Sequence, residues 1–445
     1  VRSPRSASAD SRRYVEKHPR PAGHAAPPPE DSPEEEIDML SNSGRIGIAA
    51  LVAGATLSWA AAAQDPIRIG YAADMSGVCG PLVDSATKAF RLGVEELNKA
   101  GGLAGRKIEV IERDTKTKPD EGAKEVRDLI INHKVDVITG VCSSAVLLAG
   151  TAVAGEFKVP YYTAIGATQT ANLEKWHPYY WQTQPNALME AVAAAEYVAR
   201  NKAWKKIVPL AYDYEWGHTS VNAFTAHLKK LRPDVEIAPM VPVKLGETNL
   251  TSYITAVLAQ KPHAVYGAIF GGGLVNLVKQ GKSFGFFEQT NLVTLTTVDF
   301  LQSMASDMPD KGMYGFSRAP FYALLDNPKA KAFVETFRAR YGKDPDDWAV
   351  LAYDGLMFYA AAVRQAKSAK ADDVMKAVAS VKYDGLRGTM TVRALDGQMN
   401  APAWVGKVGK DPKYPYMVLQ DLVRIDADRT MLSEETVKAL RAKAK

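Results

Sequence analysis

Residues 141–150, VCSSAVLLAG, put a cysteine and two serines directly behind the apolar run VDVITG. Those residue types allow three chemistries: a thiol or hydroxyl nucleophile, a metal ligand, or a cradle that holds an anion without reacting with it. Nucleophilic catalysis needs a positioned base. No histidine lies near Cys142, Ser143 or Ser144 in sequence, and there is no Gly-x-Ser-x-Gly elbow. His133, His177, His218, His227 and His263 are scattered, and His177 and His218 reach the loop only if tertiary packing brings them there. Metal fits worse, because Cys79 and Cys142 stand 63 positions apart with no Cys/His pairing at ligand spacing. The anion cradle fits best. Ser143 and Ser144 fall where a helix begins, so a serine there either caps that helix or, with free backbone N–H groups, faces an anion. The GAT at 166–168 adds Gly166, for close approach, and the Thr168 hydroxyl in a second loop. Two such loops side by side form a nest suited to a carboxylate. No catalytic residue, metal or cofactor is expected.

The elements that must position these loops follow from periodicity. From residue 66, short apolar runs (IRIGYAA, KIEVIERD, VDVITG, VPYYTAI) alternate with amphipathic stretches such as SATKAFRLGVEELNKAGG. Strands alternating with helices of this length predict a parallel sheet covered on both faces. The rhythm restarts after residue 186 with KKIVPLAYD, EIAPMVPV, AVYGAIF and LVTLTT, so the fold class is α/β with two Rossmann-like, doubly wound lobes. Long helices after residue 327 bring the chain back to finish the first lobe. In such sheets ligands sit beyond the carboxyl ends of the strands, which makes the loops there informative. In the second lobe they carry Trp216, followed by glycine, and Phe270, followed by three glycines. Two aromatics at those loops suit a lid over an apolar ligand body. FGGGLVNL lacks Gly-x-Gly-x-x-Gly and Gly-Lys-Ser/Thr, and close helix packing explains its glycines as well as a phosphate would. Cys79 follows the first strand and Cys142 the third; in the order 2-1-3-4-5 these are neighbours, so both thiols share a rim, either bonded across the pocket floor or free.

Composition narrows the partners. A formal charge of +5 over 445 residues, without a long basic block, argues against nucleic acid. Residues 1–38 are rich in proline, serine and charge and are expected to be disordered. Residues 39–63 read as a signal peptide: Arg45, an apolar run too short to span a bilayer, then small residues with a cut after Ala63. Met39 is then the natural start. The rest of the chain is then expected to be exported, to a compartment in which a disulfide between Cys79 and Cys142 could persist.

In order, IRIGYAADMSG, FRLGVEELNKAGGLAGRKIEVIERD, GVCSSAV, YTAIGATQTANL, YDYEWG and AYDGLMFYAAAVRQA resemble the periplasmic solute-binding proteins of branched-chain amino acid and amide ABC transporters, the leucine/isoleucine/valine type. The resemblance runs from about residue 66 to 425. It implies a type I periplasmic binding fold with a three-strand hinge: lobe 1 from 66–185 and 318–386, lobe 2 from 186–317 and 387–430, and a C-terminal helix at 433–445. It further implies a monomeric receptor, not an enzyme, that closes on a small carboxylate-bearing solute and passes it to membrane permease subunits. The alternative is an exported sensor presenting the solute to a signalling partner. Ser143, Gly166 and Thr168 match the family's carboxylate clasp, with Ser144 beside it at the helix start, and Trp216 matches its closing aromatic. Phe270 stands where the family often has tyrosine, and Leu82 where valine-type receptors carry an aromatic. The family's ammonium-binding acid maps to Thr297, with Asp299 close by. If Asp299 points inward, an amino acid or amide is expected; if outward, an aromatic or aliphatic acid without an ammonium group. The family's usual disulfide partner for Cys142 is replaced near 116–118, which leaves Cys79 as its mate.

Overall fold

The computed structural model describes residues 65–443. The expected signal peptide at 39–63, its cut after Ala63 and the segment 1–38 lie outside the described residues. Among the described residues no helix is long and apolar enough to cross a membrane.

In β1 (Ile67–Ala73) every side chain but Arg68 is buried, because helices cover both faces of its sheet. It runs parallel with β2 (Ile108–Asp114), β3 (Val137–Thr139), β4 (Tyr161–Thr163) and β5 (Tyr180–Gln182) in the order 2-1-3-4-5. The second sheet repeats that plan. β6 (Lys206–Tyr212) lies between β9 (Ala264–Ala268) and an edge made by β7 (Glu236–Ile237) and β8 (Val241–Val243). Beyond β9 come β10 (Asn291–Leu295) and β11 (Met313–Ser317), all parallel. These are two doubly wound α/β lobes of one topology.

The C-terminal third finishes both lobes. The helices Pro328–Tyr341 and Asp347–Ala366 pack on the first, where the Tyr341 hydroxyl donates to Lys88 O (2.9 Å). A ribbon of β12 (Tyr383–Gly385) and β13 (Gly388–Met390) follows. β14 (Val392–Arg393) and β15 (Gln398–Met399) then extend the first sheet, β15 pairing with β5. The division that assigned all of 387–430 to lobe 2 is corrected here. Two-residue strands carry no readable alternation, and β15 is fixed by distant partners: Gln398 Nε2 donates to Gln184 O (2.8 Å), and Gln182 N to Gly397 O (2.8 Å). Only β16 (Ala403–Gly409) and β17 (Val418–Ile425) join the second sheet, β16 antiparallel to β11 and β17 antiparallel to β16. The chain therefore passes between the sheets three times, after β5, β11 and β15. The last helix, Glu434–Lys443, is held to the first lobe by Arg441, which donates to Asn172 O and Leu395 O (both 2.6 Å).

Two glycines show how tightly the second lobe's rim is drawn. A Cβ on Gly217, next to Trp216, would stand 1.9 Å from Tyr212 O, and one on Gly273 would stand 1.8 Å from the Tyr212 hydroxyl. Close approach to Tyr212 thus accounts for part of the glycine run at 271–273.

Candidate functional site

The carboxyl ends of β1, β3 and β4 bring their loops together as expected, and there the backbone N–H groups have already found an anion. Asp74, directly after β1, accepts from both Cys142 N and Ser143 N (2.7 Å each), and its other oxygen accepts the Thr115 hydroxyl. Burial raises the Asp74 carboxyl pKa, with those donors opposing the rise. Thr168 is also occupied: its hydroxyl donates to Glu215 Oε1 from the second lobe (2.7 Å), as does that of Thr170 (2.8 Å). The clasp expected of Ser143 and Thr168 is in this respect filled from within the protein, by two carboxylates that adjacency of β1 to β3 and contact between the lobes deliver.

What lies open is one step along. The helix Ser144–Phe157 begins beside this loop, and among the described residues nothing accepts from the N–H groups of Ser144, Ala145 or Val146. These are orphan donors at the positive end of a helix dipole. Ser144 lines a narrow cavity between the lobes, with about 20 Å³ of free space, room for about one water as the lobes stand. The first lobe contributes Leu82, Cys142, Ile165, Ala167 and Trp348 to its walls; the second contributes Tyr214, Trp216, Phe270 and Leu295. Trp216 and Phe270 meet edge-to-face, centroids 5.7 Å apart, and Phe270 meets Tyr212 the same way at 5.2 Å. Of the expected residues, then, Leu82, Ser144, Trp216 and Phe270 line the cavity, whereas Ser143, Gly166, Thr168, Thr297 and Asp299 do not. Gly166 sits just behind, its N–H on Val141 O (3.0 Å). His177 pairs with Thr151 and His218 with Asp213, both away from the cavity.

Sequence reasoning passed over Arg318, the one charged side chain in the wall among the described residues. It follows β11 at the second crossing between lobes and is buried. Its guanidinium grips Glu190 through two nitrogens, donates Nη1 to Ile165 O (2.6 Å) and stacks on Trp348 at 5.1 Å. Glu190 in turn accepts from Trp216 Nε1 (3.3 Å). An arginine ending a second-lobe strand was the available signal.

Asp299 stands behind the wall, where it accepts from Trp348 Nε1 (3.1 Å). Burial pushes its carboxyl up to about 6 from 3.8; the nearby Asp347 charge adds to this and the Thr297 hydroxyl opposes it. Between those values the folded state holds more protons than the unfolded one, so this group's contribution is present at low pH and is lost as pH rises through about 6. Asp299→Asn keeps an oxygen for Trp348 and removes the charge. It is expected to be more stable than the parent at pH 7.5, by about 2–3 kcal/mol, and equal to it near pH 3.5. Urea denaturation at both pH values checks this, and a less stable variant at pH 7.5 would contradict it.

With this geometry in place, comparison with known proteins is direct. A family model described as periplasmic binding protein matches residues 66–413. An amino acid binding protein of Pseudomonas aeruginosa is 24% identical over 358 residues, 79% of this chain and 92% of its own length. A periplasmic binding protein of Burkholderia mallei superposes with a TM-score of 0.76 at 21% identity, covering 83% of this chain and 97% of its own. A solute binding protein of an ABC transporter from Rhodopseudomonas palustris, in complex with 3,4-dihydroxy benzoic acid, gives 0.72 at 22% identity, covering 82% and 98%.

Proposed function

Because the chain belongs to the periplasmic binding protein family, whose members are substrate-binding proteins and not enzymes, we propose that it captures a small carboxylic acid without an ammonium group for ABC-transporter uptake. What supports this reading is the charge of the wall: among the described residues Arg318 is its only ionic side chain, and no carboxylate lines it. An ammonium group needs a buried acid, since an unpaired charge in a closed cleft is costly. Each nearby acid already accepts protein donors: Asp74 from the Cys142 and Ser143 amides, Glu215 from two threonines, Glu190 from Arg318, and Asp299 from Trp348. The carboxylate of the solute lies between the free amides of the helix Ser144–Phe157 and the remaining Arg318 N–H groups. Its apolar body lies among Leu82, Tyr214, Trp216, Phe270 and Trp348. Capture begins on the first lobe, and hinge closure about the three crossings buries the solute under Trp216 and Phe270. The Rhodopseudomonas palustris relative holds an acid of this class.

The test is a thermal-shift and calorimetric comparison of benzoate, 3,4-dihydroxybenzoate and a branched aliphatic acid with leucine and its amide. A solute at about 100 times its Kd adds about 2.7 kcal/mol to stability, a readily measured shift. The acids are expected to stabilise the protein and leucine to leave it unchanged. Ser144→Ala, which removes one hydroxyl, should weaken the best acid about fivefold. Stabilisation by leucine with none by the acids would reject the reading.

A further inference from the structure

Cys79 and Cys142 have no part in solute capture as argued above, and their placement is specific. Parallel pairing of β1 with β3 sets Tyr71 against Thr139 and so brings the two following loops side by side. Cys79 precedes the helix Gly80–Lys99 and is 1% exposed, whereas Cys142 is half-buried and opens onto the cavity. Both sulfurs and an Asp74 oxygen lie within 4.8 Å of one another. The backbone on each side is pinned, Cys142 N to Asp74 (2.7 Å) and Cys79 N to the Thr117 hydroxyl (3.4 Å). The structure holds both as free thiols.

We propose that Cys79 and Cys142 are a dithiol–disulfide couple in the cavity wall, in which Cys142 meets the oxidant and Cys79 resolves it. To form a bond of about 2.05 Å, the two sulfurs have to close a gap of at most 4.8 Å. The oxidant is a disulfide of a small thiol or of a dithiol oxidase. The Cys142 thiolate attacks one of its sulfurs, forms a mixed disulfide and expels one thiolate. The Cys79 thiolate then attacks the Cys142 sulfur and expels the second. Two electrons pass to the oxidant, and the two thiol protons leave with its two thiols. Access sets the order, because an oxidant in the cavity touches Cys142 and not Cys79. The neighbouring Cys142 sulfur and burial hold the Cys79 thiol well above its usual range. A metal ion competes poorly for the cluster, since the Asp74 oxygens already accept three donors.

The experiment equilibrates the purified folded protein with oxidised glutathione, unfolds it in guanidinium with excess maleimide, and weighs it. No maleimide label is expected before reduction and two after it, with one peptide joining residues 79 and 142. Cys79→Ser should stop at one glutathione on Cys142, while Cys142→Ser should leave Cys79 unmodified as long as the protein is folded. Two labels before reduction would overturn the couple. So would thiols that become reactive only after a chelator strips a metal. Glutathione on Cys79 in Cys142→Ser, at the rate seen for Cys142, would overturn the order. No solute enters the measurement, so its outcome is independent of what the cavity binds.

Discussion

Arg318→Met is expected to lower affinity for the proposed acid solute by about 100-fold or more and, taken alone, to destabilise the fold by about 3–5 kcal/mol. The two losses have separate causes and are separable. On the proposed reading affinity falls because the variant has no charge-assisted donor for the solute's carboxylate, and such bonds are about twice as strong as neutral ones. Stability falls because Glu190, 1% exposed, is left as an uncompensated charge beside Trp216. Glu190→Gln combined with Arg318→Met removes both charges and keeps an oxygen for the Trp216 N–H. The double variant should therefore recover most of the lost stability while binding stays lost. Urea denaturation and calorimetry with the acid that stabilises the parent best provide the two readings. Near-parental affinity in the double variant would show that Arg318 positions Glu190 and does not touch the solute.

Much of this arrangement was legible in the chain, and the rest was hidden for identifiable reasons. Alternation and length give the doubly wound sheet, whose usual order is 2-1-3-4-5, and with it the rim loops of Ser144, Trp216 and Phe270, while Leu82 came from the family resemblance; all four line the cavity. Ser143 and Thr168 were chosen by the same reasoning, but their donors had been claimed by Asp74 and Glu215, which lie 69 and 47 positions away. Spacing shows that a loop offers amides; it does not show which distant carboxylate reaches them first. Arg318 was missed for the same kind of reason. Its partner lies 128 positions earlier, on a helix whose alanine-rich face reads as ordinary packing. Asp299 could be placed near the site but not oriented, because its direction is set by Trp348 on another helix.

The largest purely structural effect expected is at the pair Asp354–Arg387, which has no exposed side-chain surface on either member. Arg387 Nε donates to Asp354 Oδ2 (2.9 Å) and its Nη2 to Thr183 O (2.7 Å), while Asp354 Oδ1 accepts from Leu386 N (2.9 Å). One ion pair thereby ties the middle of the helix Asp347–Ala366 to the first crossing between the lobes and to the turn between β12 and β13. Charges this deep stabilise only as a set, because the desolvation of each is offset by the other. Asp354→Asn strands a buried guanidinium whose Nη1 has no partner even in the parent, and should cost about 3–5 kcal/mol. Arg387→Met strands the carboxylate at similar cost. Combined, the two substitutions should cost clearly less than their sum, since neither leaves an isolated charge, and the coupling of the cycle measures the pair. Equal and additive losses, or a single variant within about 1 kcal/mol of the parent, would mean that water reaches this pair and that the first crossing is held by packing instead.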